Sequence, residues 1–354
     1  MHIPDGYLSP ASCVTLYGLS SVSWYSALQR IKRNIASRTI PLISVFAAFT
    51  FVIMMFNLPL PGGTTGHATG VAIATIVLGP AASIIAVSIA LALQALLFGD
   101  GGISTLGANT FNMAVVGSLV AYALYHAIAG SSEITSRRRI LAAAVAGYLS
   151  CNAAALVAGF ELGIQPTLYH DPSGAPLYAP YPLRIALPAI MIGHLTIAGL
   201  AEAVVTAGIV SYLQRADLGL FNHAQVALPA FPSKGSGASR LWLMVAVLAL
   251  LTPLGVLAVG KAWGEWSASD FENQQARAEI ARTSRQVEPP PTPSGIRKLS
   301  GLWTAPFPDY APAFIKNPIF GYVLSAMFGV GVLASASAAV DRILRRKPKG
   351  ELES

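Results

Sequence analysis

Apolar residues in this chain gather into long blocks separated by short polar stretches. Blocks of about 20 residues with few charges mark helices that cross a bilayer, whereas strict alternation would mark half-buried strands. The pattern predicts an all-α, polytopic membrane protein. The blocks fall at 11–29, 40–58, 106–129, 140–162, 183–214, 241–260 and 318–340. A further apolar stretch, 69–98, is broken by Gly79-Pro80. Proline lacks an N–H and its ring clashes with the preceding turn, which disfavours one continuous helix. Two spans, 67–79 and 81–98, are the preferred reading, and one long kinked helix with a re-entrant segment is the alternative. The first of the two is shorter than a crossing needs, so it must be shielded by protein or enter from a loop. Residues 1–214 then form a seven-helix core, 215–239 a polar cytoplasmic linker, and 240–354 a second part with two spans. Between those last two spans, 261–317 is the one long hydrophilic stretch. Its prolines Pro289, Pro290, Pro291 and Pro293 favour extended structure and argue against a packed core there.

Composition agrees. Hydrophobic residues make up 54% of the 354 positions and charged residues 11%, against about 25% charged in a soluble domain. Mean hydropathy is +0.58. The net charge of +7 does not point to nucleic acid, because the basic residues form short clusters between apolar runs. These are Arg30, Lys32, Arg33 and Arg38; Arg137, Arg138 and Arg139; Arg215, Lys234 and Arg240; and Arg342, Arg345, Arg346, Lys347 and Lys349. Cytoplasmic loops carry the excess of Lys and Arg, so all four clusters are placed inside a plasma or inner membrane. The N-terminus, the loop at 61–70, the turn at 98–102 and residues 261–317 then face outside. Cys13 and Cys151 are far apart in sequence and form no CxxC, zinc or disulfide pattern.

The chain opens Met1-His2-Ile3-Pro4-Asp5-Gly6. Initiator methionine is rarely removed before a residue as large as histidine, so Met1 is expected to persist. The Met1 amine, the deprotonated His2 amide and the His2 Nδ1 can then close adjacent five- and six-membered rings on one metal ion. Their plane leaves one position open, an arrangement that suits Ni(II) and Cu(II) and can impose itself on Co(II). The competing reading is a frayed terminus that happens to carry a histidine. His67, in Pro61-Gly62-Gly63-Thr64-Thr65-Gly66-His67-Ala68-Thr69-Gly70, begins a helix on the same side of the membrane and could supply the fourth nitrogen. Its alternative use is as a helix-cap or interfacial histidine.

Other polar residues invite weaker readings. His194 and Glu202 lie eight positions apart on one expected helix and share roughly one face. They fit either a supporting or access role for the metal or a packing contact between helices. Asp100 and Asn109 lie near the outer rim, where a carboxylate or amide can orient a ligand imidazole; a capping role in the GDGG turn also explains Asp100. His126, His170 and His223 read as solvated or interfacial. No GxxxxGK[ST] loop and no catalytic cluster occurs, so the chain reads as a transporter component and not an enzyme. The alternative is a self-contained secondary permease working through His194 and Glu202.

MHIPDGYLSP, GGTTGHATG, LFGDGGISTLGANTFNMAVVG at 97–117 and HLTIAGLAEAVVTA at 194–207 resemble the CbiM/NikM family. Its members are the substrate-specific membrane components of cobalt and nickel energy-coupling-factor importers. The resemblance covers residues 1 to about 214. It implies a seven-helix substrate-binding fold and a site made of the Met1 amine, the His2 amide and imidazole, and His67. It also implies a transmembrane coupling subunit and cytoplasmic ATPases as partners, with Co2+ or Ni2+ as cargo and no cofactor. Both ions accept the same nitrogens, and nickel should bind at least as tightly. The C-terminal part is similar to the CbiN/NikN partner in its spans, in WTAPFPDYAP at 303–312 and in GYVLSAMFGVGVL at 321–333. The Pro-Asp-Gly-Leu-Glu motif of some such partners is absent there.

Overall fold

A computed structural model describes residues 1–33, 39–60, 64–216, 236–257, 261–284, 288–289, 291–312 and 314–346. Helices dominate. Pro10–Arg33 (α1) and Thr39–Met54 (α2) lead into a small antiparallel hairpin. Its strands are Leu58–Leu60 (β1) and Thr64–Gly66 (β2), with Leu58 opposite Gly66 and Leu60 opposite Thr64. Then follow Val71–Leu78 (α3), Pro80–Phe98 (α4), Leu106–Ala129 (α5), Arg137–Leu168 (α6) and Leu183–Ala216 (α7). The helix Ser236–Leu251 (α8) tightens into a 3-10 turn over Thr252–Leu257. Ala268–Glu272 (α9), Gln274–Ser284 (α10) and Ser294–Leu299 (α11) are short, and Pro318–Arg346 (α12) closes the chain.

Five of these are long and apolar enough to cross a membrane: α4, α5, α6, α7 and the Pro318–Ala339 part of α12. Ile40–Met54 and Leu241–Val256 are apolar but shorter. The helix α1 covers the expected span 11–29 and leaves Val14, Leu19, Val22 and Tyr25 exposed. The Arg38, Lys234, Lys347 and Lys349 members of the basic clusters, most of the 215–239 linker and His223 lie outside the described residues.

Two expectations are corrected. The first concerns span 67–79. The chain does break at Gly79-Pro80: Gly79 takes a positive φ of 78° and Pro80 starts α4, where its missing N–H costs nothing. The piece before the break, however, is an eight-residue helix buried from Val71 to Val77. At 1.5 Å per residue it is far too short to cross, and it is enclosed by α2, α4, α5 and α6. Enclosure satisfies an apolar half-helix that lipid could not. His67 and Ala68 therefore lie in irregular backbone ahead of it, and Gly70, at φ 69°, turns the chain into the helix.

The second correction concerns 261–317. The segment packs in spite of its prolines, of which Pro293 is itself extended at φ −55° and ψ 142°. Three short helices form there, and Trp266, Phe271, Ile280, Ile296 and Tyr310 are buried. Trp263, Trp266 and Tyr181 of α7's approach make an aromatic cluster, with Trp263 and Trp266 edge-on at 5.4 Å. Aromatic rings bury large apolar areas per residue, which lets a polar segment dock on the end of the bundle that holds the amino terminus.

Candidate metal site

The amino end is not frayed. Met1, His2, Ile3, Tyr7 and Leu8 are all buried. Ile3 is gripped on both sides of its peptide unit. Its N–H donates to Asn109 Oδ1 at 2.8 Å, while its carbonyl accepts from Asn109 Nδ2 at 3.1 Å, Thr105 Oγ1 at 2.5 Å and Gly102 N at 3.0 Å. Asp5 accepts from Ile103 N at 3.1 Å and Ser104 N at 2.7 Å, which ties the turn after α4 to the terminal arm. Further along, Gln165 on α6 accepts from Ser9 N at 2.9 Å. Each bond contributes about 1 kcal/mol, and together they fix the terminus inside the bundle.

His67 is presented by a different device. The β1–β2 hairpin delivers it, and Glu202 on α7 holds the two residues that follow Ala68. One carboxylate oxygen, Oε2, accepts from Thr69 N at 2.5 Å, Thr69 Oγ1 at 3.2 Å and Gly70 N at 3.0 Å. The His67 Nδ1–H donates to the Ala68 carbonyl at 3.1 Å, so the lone pair lies on Nε2, the nitrogen left for a metal. Burial pushes the His67 pKa well below the usual imidazole range, helped by the nearby His2 ring and terminal amine and opposed by Asp100. The ring is therefore a neutral donor. It meets His2 with ring centroids 5.0 Å apart and planes tilted by 45°.

Carboxylates surround the terminal nitrogens. Glu265 Oε1 accepts from the Met1 amine and from the His2 N–H, both at 3.1 Å. Asp100 Oδ1 contacts His2 Nδ1, while His2 Nε2 is buried with no partner. Asp100 Oδ2 accepts from Tyr310 at 2.6 Å and Gln94 Nε2 at 3.3 Å. Burial alone would raise the Asp100 pKa, but the His2 charge and hydrogen bond, with the Tyr310 hydroxyl, hold it below the usual carboxylate range. Asp100 thus occupies His2 Nδ1, and ligation through that nitrogen would require the carboxylate to give it up. Tyr310 reaches Asp100 from a left-handed backbone, φ 59°, which costs about 1–3 kcal/mol for a bulky residue. Its ring offsets this by stacking on Phe98 at 4.7 Å.

A small enclosed cavity adjoins this cluster, lined among others by Met1, His2, Thr65, His194 and Trp263. Its free volume of about 20 Å³ has room for one water or ion. Among the described residues no three His, Cys, Asp or Glu side chains converge at metal-ligand spacing. Two imidazoles alone make a poor site, so any metal here needs main-chain or terminal nitrogens as well.

The structure brings Met1, His2, His67 and Asp100 together. It assigns Asn109 differently from the sequence expectation: both ends of its amide are spent on Ile3, so it clamps the terminal arm and orients no imidazole. Nor do His194 and Glu202 bond to each other. His194 Nδ1 bonds the Ile190 carbonyl at 2.8 Å while Glu202 bonds the 69–70 backbone. Eight residues of helix set the two side chains about 12 Å apart along the axis, and each is engaged where it stands. His126 packs on Tyr122 at 4.1 Å, and exposed His170 bonds the Pro166 carbonyl at 3.2 Å. Glu265, Tyr310 and Gln94 were not expected at the site. The available signal for Glu265 was its position between Trp263 and Trp266, two aromatics in a polar stretch.

Comparisons with known proteins bear on this geometry. The family described as CbiM, the cobalt uptake substrate-specific transmembrane region, matches residues 2–219. The PDGLE domain matches residues 239–346, although only Pro308-Asp309 of those five letters is present at 308–312. The fused nickel transport protein NikMN of Rhodobacter capsulatus is 49% identical over 350 residues, 98% of this chain and 99% of that one. The cobalt transport protein CbiM of Thermosipho melanesiensis is 34% identical over 166 residues, 46% of this chain and 68% of that one. A crystal structure of a truncated transition metal transporter superposes with a TM-score of 0.57 at 45% identity, covering 60% of this chain and 98% of its own.

Proposed function

The chain belongs to the CbiM family of cobalt-uptake substrate-specific transmembrane proteins, and on that premise we propose that it captures Ni2+, with Co2+ as competitor, through its own amino terminus. The ligands are the Met1 amine, the His2 amide and Nδ1, and His67 Nε2. The observation that carries this reading is the burial of the terminal amine beside two converging imidazoles, one of them held neutral. A planar four-nitrogen set favours Ni(II) over Co(II), and the full-length relative is named a nickel transport protein.

Each chain residue then has a definite task. Asn109, Thr105 and Gly102 lock Ile3, so the amine arrives in one place. Glu202 locks the turn after His67. Metal capture releases protons from the amine and the His2 amide and removes from His2 Nδ1 the proton that it donates to Asp100, since ligating nitrogens must be deprotonated. Asp100 holds the His2 ring in the metal-free state and yields Nδ1 to the ion. Import is driven by a transmembrane coupling subunit and cytoplasmic ATPases, because this chain carries no phosphate-binding loop of its own. A secondary permease would need a connected polar path, and Glu202 and His194 are bonded to different groups.

Metal analysis of the purified protein tests the assignment. After equilibration with equimolar Ni2+ and Co2+, about one ion per chain is expected, mainly nickel, by the affinity order of divalent metals. Protein that retains neither ion would sink it. The sidedness of the site is a separate expectation. With the basic clusters inside, a membrane-impermeant thiol reagent should label a cysteine placed at Asn273 from outside the cell but not one placed at Lys234. Labelling with the opposite accessibility would reverse the orientation.

A further inference from the structure

The stretch 302–320 leaves Leu302, Trp303, Phe314, Ile319 and Phe320 exposed, and we propose that it is a membrane-interface anchor. Its partner is a lipid surface: the headgroups and upper acyl chains of the leaflet at the end of the bundle that holds the amino terminus. The inference is independent of which nitrogens hold the metal.

Placement says what covers these side chains. The Trp303 indole N–H donates to the Leu96 carbonyl at 2.9 Å, and the Phe307 N–H donates to the Leu97 carbonyl at 3.0 Å. Both carbonyls belong to the last turn of α4, which is long and apolar enough to cross a membrane. A helix end leaves such carbonyls without partners in the helix, so the stretch sits at the end of a span. Leu96 and Ile89, seven residues earlier, are both exposed and share one face of α4. That face meets lipid, and Trp303 continues it past the helix end. With its one polar group spent on Leu96, Trp303 is still 45% exposed, and what it exposes is apolar ring. On α12, Phe320, Leu324, Met327 and Phe328 likewise share one exposed face. Phe320 lies in its first turn. Phe307 joins the two helices, packing edge-on against Phe328 at 5.3 Å. The occupant is lipid because the patch extends two faces that lipid already covers.

The chemistry suits the boundary and not the bilayer centre. Tryptophan concentrates at membrane–water interfaces. Between 297 and 320 the chain carries Arg297, Lys298 and Lys316 against a single acid, Asp309, and all four are exposed. Cationic heads beside Trp, Phe and Leu are the composition of segments that lie in the interface plane, where the cations meet anionic lipid. On its other side the stretch buries Ala305 and Tyr310 against the bundle. Tyr310, which bonds Asp100, lies between Trp303 and Phe314 in the chain. The bilayer therefore steadies both flanks of the turn that reaches the amino-terminal site.

The full-length protein in lipid nanodiscs tests this. The emission that Trp303→Phe removes from the wild-type spectrum isolates Trp303 from Trp24, Trp242, Trp263 and Trp266. That component should be quenched by lipids brominated near the headgroup end of the acyl chain, less by lipids brominated near the bilayer centre, and little by aqueous iodide. A nitroxide on a cysteine placed at Phe314, which is 75% exposed, should be relaxed more by oxygen, which partitions into lipid, than by aqueous chromium oxalate. Iodide quenching of Trp303 without quenching by brominated lipid, or a label relaxed mainly by chromium oxalate, would place the stretch in water and overturn the anchor. A label reached by neither reagent would place a protein on the patch and overturn it as well.

Discussion

Replacing His67 by alanine is expected to remove metal binding while leaving the protein folded. Loss of a supporting group around a metal already costs about 10–100-fold in affinity, so loss of a ligand should exceed 100-fold. The fold should survive because the turn that carries His67 is held elsewhere. Glu202 bonds Thr69 and Gly70, and the β1–β2 pairing fixes the residues before it. Truncating one buried side chain costs on the order of 1–3 kcal/mol, a modest shift in a bundle of this size. The measurement pairs metal content of the purified variant with its unfolding temperature in detergent. Normal nickel content in a well-folded His67→Ala protein would remove His67 from the site.

Adding even one residue before Met1 should abolish uptake. The amine would move one residue along the chain, and His2 would become internal, so two fused chelate rings could no longer close on a free terminus. Space forbids a rescue. The Met1 amine and the His2 N–H both face Glu265, and Ile3 is clamped by Asn109, Thr105 and Gly102. An extra residue must push into Glu265 or pull Ile3 from its bonds. A tag beyond Lys349 should be harmless. Uptake of nickel by cells producing N-extended and C-extended forms at matched membrane levels decides the matter. Full uptake by a form whose extension is shown by mass spectrometry to remain attached is incompatible with a terminal chelate. Acidification should weaken binding as well, because protons compete for the nitrogens. His67 contributes little to that loss at mildly acid pH, since its lowered pKa keeps it neutral where an ordinary imidazole is charged.

Much of this protein was legible in the chain itself. Long apolar blocks report their own environment, because a lipid-spanning helix must be predominantly apolar over about 20 residues whatever it packs against. The helices at Leu106–Ala129 and Leu183–Ala216 accordingly begin where the blocks begin, and the chain breaks at Gly79-Pro80 as proline requires. Met1, His2 and His67 stood out for a similar local reason, namely chelate chemistry at a terminus and a histidine among glycines. What the sequence left open was every choice between two partners for one polar group. Asn109 could orient an imidazole or clamp a backbone. Glu202 could meet His194 or a loop 133 residues away. Glu265 lies 264 residues from the amine it contacts. Hydrogen bonds and ion pairs are short-ranged and directional, and a polar residue in a turn carries no periodicity to reveal its partner. Even the docking of 261–317 depended on where its tryptophans could bury their rings, which composition could not say. The apolar pattern thus determined which segments become helices, while only the packed bundle decided which carboxylate faces the buried amino terminus.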